Sequence, residues 1–212
     1  MKFPVLASVI VFIIILTISI KKSDKNIKNQ MENFWEKERL ANSVRKKPLD
    51  DLEYINIPSH FLTLSIAPED DRAVDALSML KHLSDKKIVN LTGISNTDLK
   101  LTYGTANITA LTEYDQNYTQ LARSLQQIAT SLADHSHHEE AKEVLEFAVN
   151  TKTDISASYT LLAHLYTEEG HPEKIDELIG KAHALNGLTA PLIVRHLEAA
   201  KEAVDVINSQ NK

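Results

Sequence analysis

Residues 125–148, LQQIATSLADHSHHEEAKEVLEFA, recur 34 positions later as residues 159–182, YTLLAHLYTEEGHPEKIDELIGKA. The two stretches align without a gap, and their shared apolar or small positions follow one face of an α-helix. Self-similarity at this period is typical of helical-hairpin repeats, which stack and bury a continuous core. The sequence therefore predicts an all-α fold built around two hairpins. The aligned pairs are Leu125 and Tyr159, Ile128 and Leu162, Ala129 and Ala163, Leu132 and Tyr166, Ala141 and Ile175, Leu145 and Ile179, and Ala148 and Ala182.

The second stretch resembles the tetratricopeptide repeat, in which a large residue, Leu and a small residue precede Tyr, a turn Gly, Ala, an aliphatic or aromatic residue and Ala. Ile175 replaces the usual Ala of that motif, and Thr153 and Gly187 stand where the family places a late Pro. In the first stretch, Leu125 and Leu132 stand where aromatic residues are common. The resemblance implies a short array of hairpins that binds other proteins. The matching residues are Tyr159, Leu162, Ala163, Tyr166, Gly170, Ile175, Ile179 and Ala182.

Segments outside the repeats resemble a wider group. ANSVRKK at 41–47, IVNLTGISNTDLKLTYG at 88–104 and EYDQNY at 113–118 are similar to segments of membrane-anchored tetratricopeptide proteins of anaerobic Gram-positive bacteria. That group has no assigned activity. The resemblance therefore implies an architecture and a bacterial plasma membrane, but no reaction.

In the tetratricopeptide fold the leading helices line a concave binding face. The family's clamp for acidic chaperone tails needs several Lys, Arg and Asn residues there, and Arg123 alone stands in such a place. The resemblance thus implies a partner peptide or helix that makes mixed polar and apolar contacts. Alternatively, the repeats only pack together and a partner binds elsewhere. The positions that the resemblance places on the concave face are Arg123, Gln126, Gln127, Thr130, Asp134, Thr160, His164, Thr167 and Glu168.

The amino-terminal stretch 3–20 is predominantly apolar and contains no charged residue. As a helix this stretch would span ~27 Å, which just crosses a bilayer core. It passes directly into lysines at ISIKK (18–22), without the small-residue cleavage site of a signal peptide. We therefore predict an uncleaved anchor. Because four lysines follow it within the segment 21–28, we expect the folded part to face the cytoplasm, with an extracytoplasmic domain as the alternative.

Composition shifts and helix-breaking residues divide the chain into six segments. The first leading helix is predicted to start near Thr112, and Pro172 is predicted to begin the return helix of the second hairpin. Residues 86–108 do not follow the repeat period, and we interpret them as a cap, with a functional insertion as the alternative. The predicted segments are a transmembrane anchor (1–22), a juxtamembrane helix and extended linker (23–67), a capping helix and non-repeat insertion (68–110), a first repeat unit with an extended leading helix (111–155), a second repeat unit (156–189) and a carboxy-terminal capping helix (190–212).

Charge and composition argue against several functions. Through residue 48 the chain has 10 Lys and Arg against 4 Asp and Glu, whereas the remainder has 13 against 25, and so acidic a folded part argues against nucleic-acid binding. The glycines form no phosphate-binding loop, and no catalytic-triad, HExxH or nucleophile-elbow motif occurs, so we predict neither enzyme activity nor a cofactor. The absence of cysteine excludes disulfides and thiolate metal sites.

Four histidines remain candidates for metal ligands, although their spacing matches no established metal site. They are His135, His137, His138 and His171.

These patterns together predict a single-pass, membrane-tethered adaptor that uses its repeats to capture a peptide or helix of another protein. Tethering would give a weak contact a high effective concentration near one surface. The alternative is an extracytoplasmic module for envelope assembly or metal handling on the same scaffold.

Overall fold

The computed structural model describes residues 3–210, and within them the side chains of residues 8, 12–204 and 206. In this part of the chain every regular element is helical, and one isolated antiparallel bridge joins Tyr54 to Val89. The predicted all-α class is confirmed. The α-helices are α1 (Phe3–Ser43), α2 (Asp71–Leu83), α3 (Asn96–Tyr103), α4 (Ile108–Asp134), α5 (His138–Asn150), α6 (Ser156–Glu168), α7 (Lys174–His183) and α8 (Ala190–Gln210), and short 3-10 helices cover Ser59–Thr63 and Thr105–Asn107.

Two helical hairpins, α4–α5 and α6–α7, turn in the same way. Ser136 (φ 65°) and Gly170 (φ 81°) adopt the left-handed conformation just after the leading helix of each hairpin. In each turn three backbone N–H groups bond back to that helix, and all three bonds of the first turn recur at the equivalent positions of the second. This is the Schellman ending of a helix, so the repeat seen in side chains is also present in the backbone. The bonds that close the two turns run from His137 N to Leu132 O and from His171 N to Tyr166 O, both at 2.8 Å.

The apolar stripes of the repeat form the core. Leu125 and Ile128 of α4, Leu145 of α5 and Leu162 of α6 are each 0% exposed. Burying such a side chain contributes roughly 1.5–3 kcal/mol. A lone hairpin leaves one of its faces in water, so these hairpins are stabilised chiefly by stacking on each other.

Helix α8 takes the place of a third leading helix. It begins at Ala190, one full repeat period after α6 begins at Ser156, and it packs against both α6 and α7. Ile193 and Leu197 are fully buried at the positions that correspond to Tyr159 and Ala163 of α6. The period of the repeat therefore continues into the segment that the sequence pattern predicts as a cap.

Two predicted helix starts are wrong by a few residues. α4 begins at Ile108 and not near Thr112, because the 3-10 helix Thr105–Asn107 leads directly into it. α7 begins at Lys174, shortly after Pro172. There the N–H of Ile175 bonds to Pro172 O at 3.1 Å, an i to i+3 bond that closes a turn before the α-helix.

The described chain forms two compact units. In the first unit, α1 and the loop through Pro48 associate with Ser95–Ile108. The second unit comprises Leu49–Ile94 and the chain from Thr109 onward, with both hairpins and α8. The segment 68–110, predicted as one capping region, is thus divided between the two units.

In the first unit, polar contacts join α1 to α3. Glu38 accepts a hydrogen bond from Thr97 Oγ1 at 2.7 Å and pairs with Lys100. These hydrogen bonds lower the pKa of the Glu38 carboxyl, and the bond from Lys100 has the largest effect. Gly104 follows α3 with φ 87°, and a Cβ at this position would overlap Arg45 O. Glycine is therefore required where the chain leaves α3.

Helix α1 is continuous and joins the predicted anchor to the predicted juxtamembrane helix. Residues 1–2 of that anchor, and the side chains of residues 3–7 and 9–11, lie outside the described part. The side chains of residues 12–20 are exposed. Among the described residues, no helix combines the length and the apolar character needed to span a membrane.

Candidate functional site

The residues predicted to bind a partner lie on the side of α4 and α6 away from the core. Seven of the nine side chains are exposed, and Gln126 and Thr167 are half-buried. The positions between them, such as Leu125, Ile128 and Leu162, are buried. We call this surface the leading-helix face. Its exposed members are Arg123, Gln127, Thr130, Asp134, Thr160, His164 and Glu168.

Some members of the leading-helix face hold the two helices together. Gln126 Oε1 accepts a hydrogen bond from Ser158 Oγ of α6 at 2.5 Å, and its Nε2 donates to Thr130 Oγ1 at 3.0 Å. Because Ser158 is fully buried, this bond fixes the spacing of α4 and α6. Thr167 donates to Ala163 O within its own helix. Gln126 and Thr167 thus have structural roles, and the exposed residues around them remain available to a partner.

Glu168 lies between two histidines from different helices. Its Oε2 is 3.5 Å from His164 Nδ1 and 3.5 Å from His138 Nδ1. All three side chains are about half exposed. The structure thus joins two predicted members of the face to one of the histidines considered as metal ligands.

The other candidate histidines go to separate acceptors. His135 Nδ1 lies 2.8 Å from Ser131 O, and His171 Nδ1 lies 3.0 Å from Glu173. His137 Nδ1 lies 3.7 Å from the carboxylate at 140. In the described part of the chain, no three His, Cys, Asp or Glu side chains converge as metal ligands would. These three histidines pair with groups at most four residues away, whereas His138 pairs with Glu168 of α6, so the four histidines do not assemble one site.

Lys142 fixes the end of α6 beside this group. Its Nζ lies 2.7 and 2.9 Å from the two carboxylate oxygens of Glu169 and 2.7 Å from Glu139 Oε2. These hydrogen bonds raise the pKa of Lys142, and the bond to Glu139 has the largest effect. The ammonium therefore stays charged and ties α5 to the residue that follows Glu168.

Helix α8 extends the leading-helix face, which sequence reasoning missed. Glu198 and Glu202 are exposed at the positions of α8 that are equivalent to His164 and Glu168 of α6. Asp134, Glu168 and Glu202 consequently occupy one register position on three successive leading helices. The signal that could have revealed this is the continued period from Tyr159 and Ala163 to Ile193 and Leu197.

A cleft of about 200 Å³ lies where the turns between helices meet the non-repeat segment. We call it the turn cleft. Sequence reasoning missed it because its lining comes from loops that share no motif. The lining consists of Glu53 and side chains within 90–94, 152–154 and 184–187.

The loops around the turn cleft are held by specific bonds. Asn90 Nδ2 donates to Thr151 O at 3.0 Å and to Lys152 O at 3.1 Å. A Cβ at Gly93 would lie 2.7 Å from Asn186 O, so this loop approaches the backbone on the far side closely. The cleft is therefore bounded by loops whose positions are fixed.

No family model, curated protein or solved structure matches this chain.

Proposed function

We propose that this protein is a membrane-tethered adaptor whose leading-helix face binds a peptide or helix of a partner protein. The observation that carries the proposal is the exposure of polar and charged side chains at equivalent positions of α4, α6 and α8. Repeated helices of this kind, with the spacing of the tetratricopeptide repeat, form extended binding surfaces. The proposal needs no catalytic residue.

The charges on the face indicate which partner it suits. Asp134 is the last residue of α4 and Glu168 is the last residue of α6. The carboxy-terminal end of a helix already carries a partial negative charge, so a carboxylate there is unfavourable by roughly 0.3–1 kcal/mol. A Lys or Arg of a partner would relieve this repulsion. Arg123 lies about three turns earlier on α4, so the preferred partner carries basic residues at one end and an acidic residue at the other.

The tether is the second part of the proposal. The described side chains of α1 from Phe12 to Ile20 are exposed and none is charged. Water-exposed apolar surface on this scale is typical of a segment that contacts lipid or another protein. The lysines that follow it favour a cytoplasmic domain.

Site-specific photocrosslinking tests the binding face. A photoreactive amino acid is placed at Thr160 on the face, and a matched control places it at Glu177, which is exposed on α7. In cells of the source organism we expect Thr160 to crosslink a discrete partner, and Asp134→Asn with Glu168→Gln to reduce that product severalfold. Equal products from both positions, or no effect of the double variant, would refute binding through this face.

The absence of cysteine allows a clean test of topology. Glu177→Cys introduces a single exposed thiol, which is treated with a membrane-impermeant maleimide in intact and in permeabilised cells. Labelling only after permeabilisation is the result expected of a cytoplasmic domain. Labelling in intact cells would instead support the extracytoplasmic alternative, and recovery of the chain in the soluble fraction would refute the tether.

A further inference from the structure

The turn cleft contains a carboxylate without a counter-ion. Asp154 is half-buried in its wall, and none of the described side chains or N–H groups pairs with it. Asp154 lies just before α6, where the helix would favour a negative charge, but no side chain caps that helix. The carboxylate is thus not used as a helix cap.

Two buried hydroxyl groups near Asp154 also lack partners. Tyr159 Oη and Thr189 Oγ1 are buried and form no hydrogen bond within the described residues. A Cβ on Gly187, a residue of the cleft, would lie 3.4 Å from Thr189 Oγ1 and 3.8 Å from Asp154 Cβ. Burial, and to a lesser extent the negative charge of Asp154, raises the pKa of Tyr159 to about 12, so the Asp154 carboxylate lies close enough to the phenol to influence it. Buried polar groups usually have partners, so these two hydroxyls, which lie behind the lining of the cleft, are exceptions in this structure.

The second acid of the cleft, Glu53, has a lysine beside it. Lys152 Nζ lies 3.4 Å from Glu53 Oε2. Lys152 also has φ 63°, a left-handed conformation that is costly for a residue with a side chain. Lys152 is the left-handed residue of the Schellman turn that ends α5, in which Thr153 N bonds to Ala148 O at 3.1 Å. With Glu53 paired, Asp154 remains as the unpaired charge.

The remaining walls of the cleft are partly apolar. Leu185 and Ala184 line one side, and Ile94 is 47% exposed on another. Among the described residues no three His, Cys, Asp or Glu side chains converge as ligands of a divalent cation would, and this cleft has only two acids. A flexible hydrocarbon chain that ends in a charge suits both the apolar wall and the single carboxylate.

We propose that the turn cleft binds a primary ammonium group on an aliphatic stem, as in a lysine side chain, with Asp154 as its counter-ion. The stem lies along Leu185 and Ile94, and the ammonium donates to the Asp154 carboxylate. Asn90 and Asn186 are polar residues of the same lining. This site lies apart from the leading-helix face and does not depend on it.

Titration followed by NMR tests the proposal on the full-length chain in detergent micelles. The chain has five glycines, so ¹⁵N-glycine labelling gives a simple spectrum. Gly187 and Gly93 report on the cleft, and Gly170 and Gly180 serve as distant references. The probe is Nα-acetyl-lysine amide, and the matched control is Nα-acetyl-norleucine amide, which has the same stem length but no ammonium.

We expect saturable shifts of Gly187 and Gly93 with the lysine probe, and no such shifts with the norleucine control. Asp154→Asn, which keeps the shape of the side chain, should weaken lysine binding by roughly tenfold or more. Gly187→Ala, whose Cβ meets neighbouring atoms no closer than 3.4 Å, should reduce binding by occupying the cleft, with Gly93 as reporter.

Three results would overturn the proposal: no shift at Gly187, equal shifts with the norleucine control, or unchanged binding by folded Asp154→Asn. If Asp154→Asn does not fold, Gly187→Ala decides, because full binding by that variant places the probe elsewhere. Asp134→Asn with Glu168→Gln must leave the titration unchanged. Loss of lysine binding in that double variant would place the site on the leading-helix face.

Discussion

Gly170 and Gly180 lie in the same hairpin and allow the backbone of the repeat turn to be tested without steric effects. A Cβ at either position would meet no atom within 4 Å. Gly170 has φ 81° in the turn, whereas Gly180 lies inside α7. Replacing each by alanine therefore adds the same methyl group to open space, and only the backbone conformation differs.

The two substitutions should change stability in opposite directions. The left-handed conformation costs an alanine about 1–2 kcal/mol, and the less flexible unfolded chain returns about 0.4–1 kcal/mol. Gly170→Ala should thus lower the free energy of unfolding by about 1 kcal/mol. Inside a helix alanine is favoured over glycine, so Gly180→Ala should raise the free energy of unfolding by about 0.8–1.0 kcal/mol.

Urea unfolding of the full-length chain in mild detergent, followed by far-UV circular dichroism, measures both effects. With unchanged m-values the two midpoints should move apart, and the melting temperatures should differ by roughly 4–8 °C. Ser136→Gly provides an internal check, because Ser136 adopts the same conformation (φ 65°) one repeat earlier, and this variant should be more stable than the parent. A neutral Gly170→Ala, or shifts of the same sign for both alanine variants, would show that the turn differs from the one described.

Three further predictions concern other parts of the chain. Gly104→Ala would drive a Cβ into Arg45 O, and we expect α3 to lose hydrogen-exchange protection while α6 keeps it. Tyr159→Phe removes a buried hydroxyl that has no partner, so it should raise the free energy of unfolding at pH 7 by about 1 kcal/mol. Tyr118→Phe breaks a hydrogen bond, so it should lower the free energy of unfolding by a similar amount. Urea titrations measure both effects. Burial, and to a lesser extent the charge of Asp154, raises the pKa of both phenols, and that of Tyr159 rises to about 12. In alkaline solution the native chain therefore retains phenol protons that the unfolded chain releases. Stability should therefore fall as the pH rises above about 10, and the double phenylalanine variant should lose less of it in alkaline urea titrations.

The repeat could be predicted from the sequence because its side-chain pattern directly reflects core contacts. Leu125 and Ile128 recur as Tyr159 and Leu162, and all four are 0% exposed. The third leading helix was harder to detect. After Gly187 the pattern retains few of its large residues, so a cap and a further repeat looked alike.

The non-repeat segment could not be placed from the sequence, because hydrogen bonds to its backbone help to fix its position, together with the buried Ile88 and Val89. Val89 N bonds to Tyr114 O at 3.3 Å, and Asn117 Nδ2 donates to Lys87 O at 3.0 Å. Backbone groups are the same in every residue and leave no pattern in the side chains. The turn cleft was missed for the same reason, since these bonds place the loop that forms one of its walls.

The exposed charges of the leading-helix face suggest why a tether would matter. Ion pairs at exposed sites contribute about 0–1 kcal/mol each, so three pairs with Asp134, Glu168 and Glu202 give at most about 3 kcal/mol. A free energy of binding of about 4 kcal/mol corresponds to a dissociation constant of about 1 mM. A detached partner peptide should therefore bind in solution only near millimolar concentration. A partner held at the same membrane reaches effective concentrations in that range, so binding should become saturated once both molecules are reconstituted in one vesicle. Tight binding of the free peptide would show that apolar contacts, and not these charges, determine recognition.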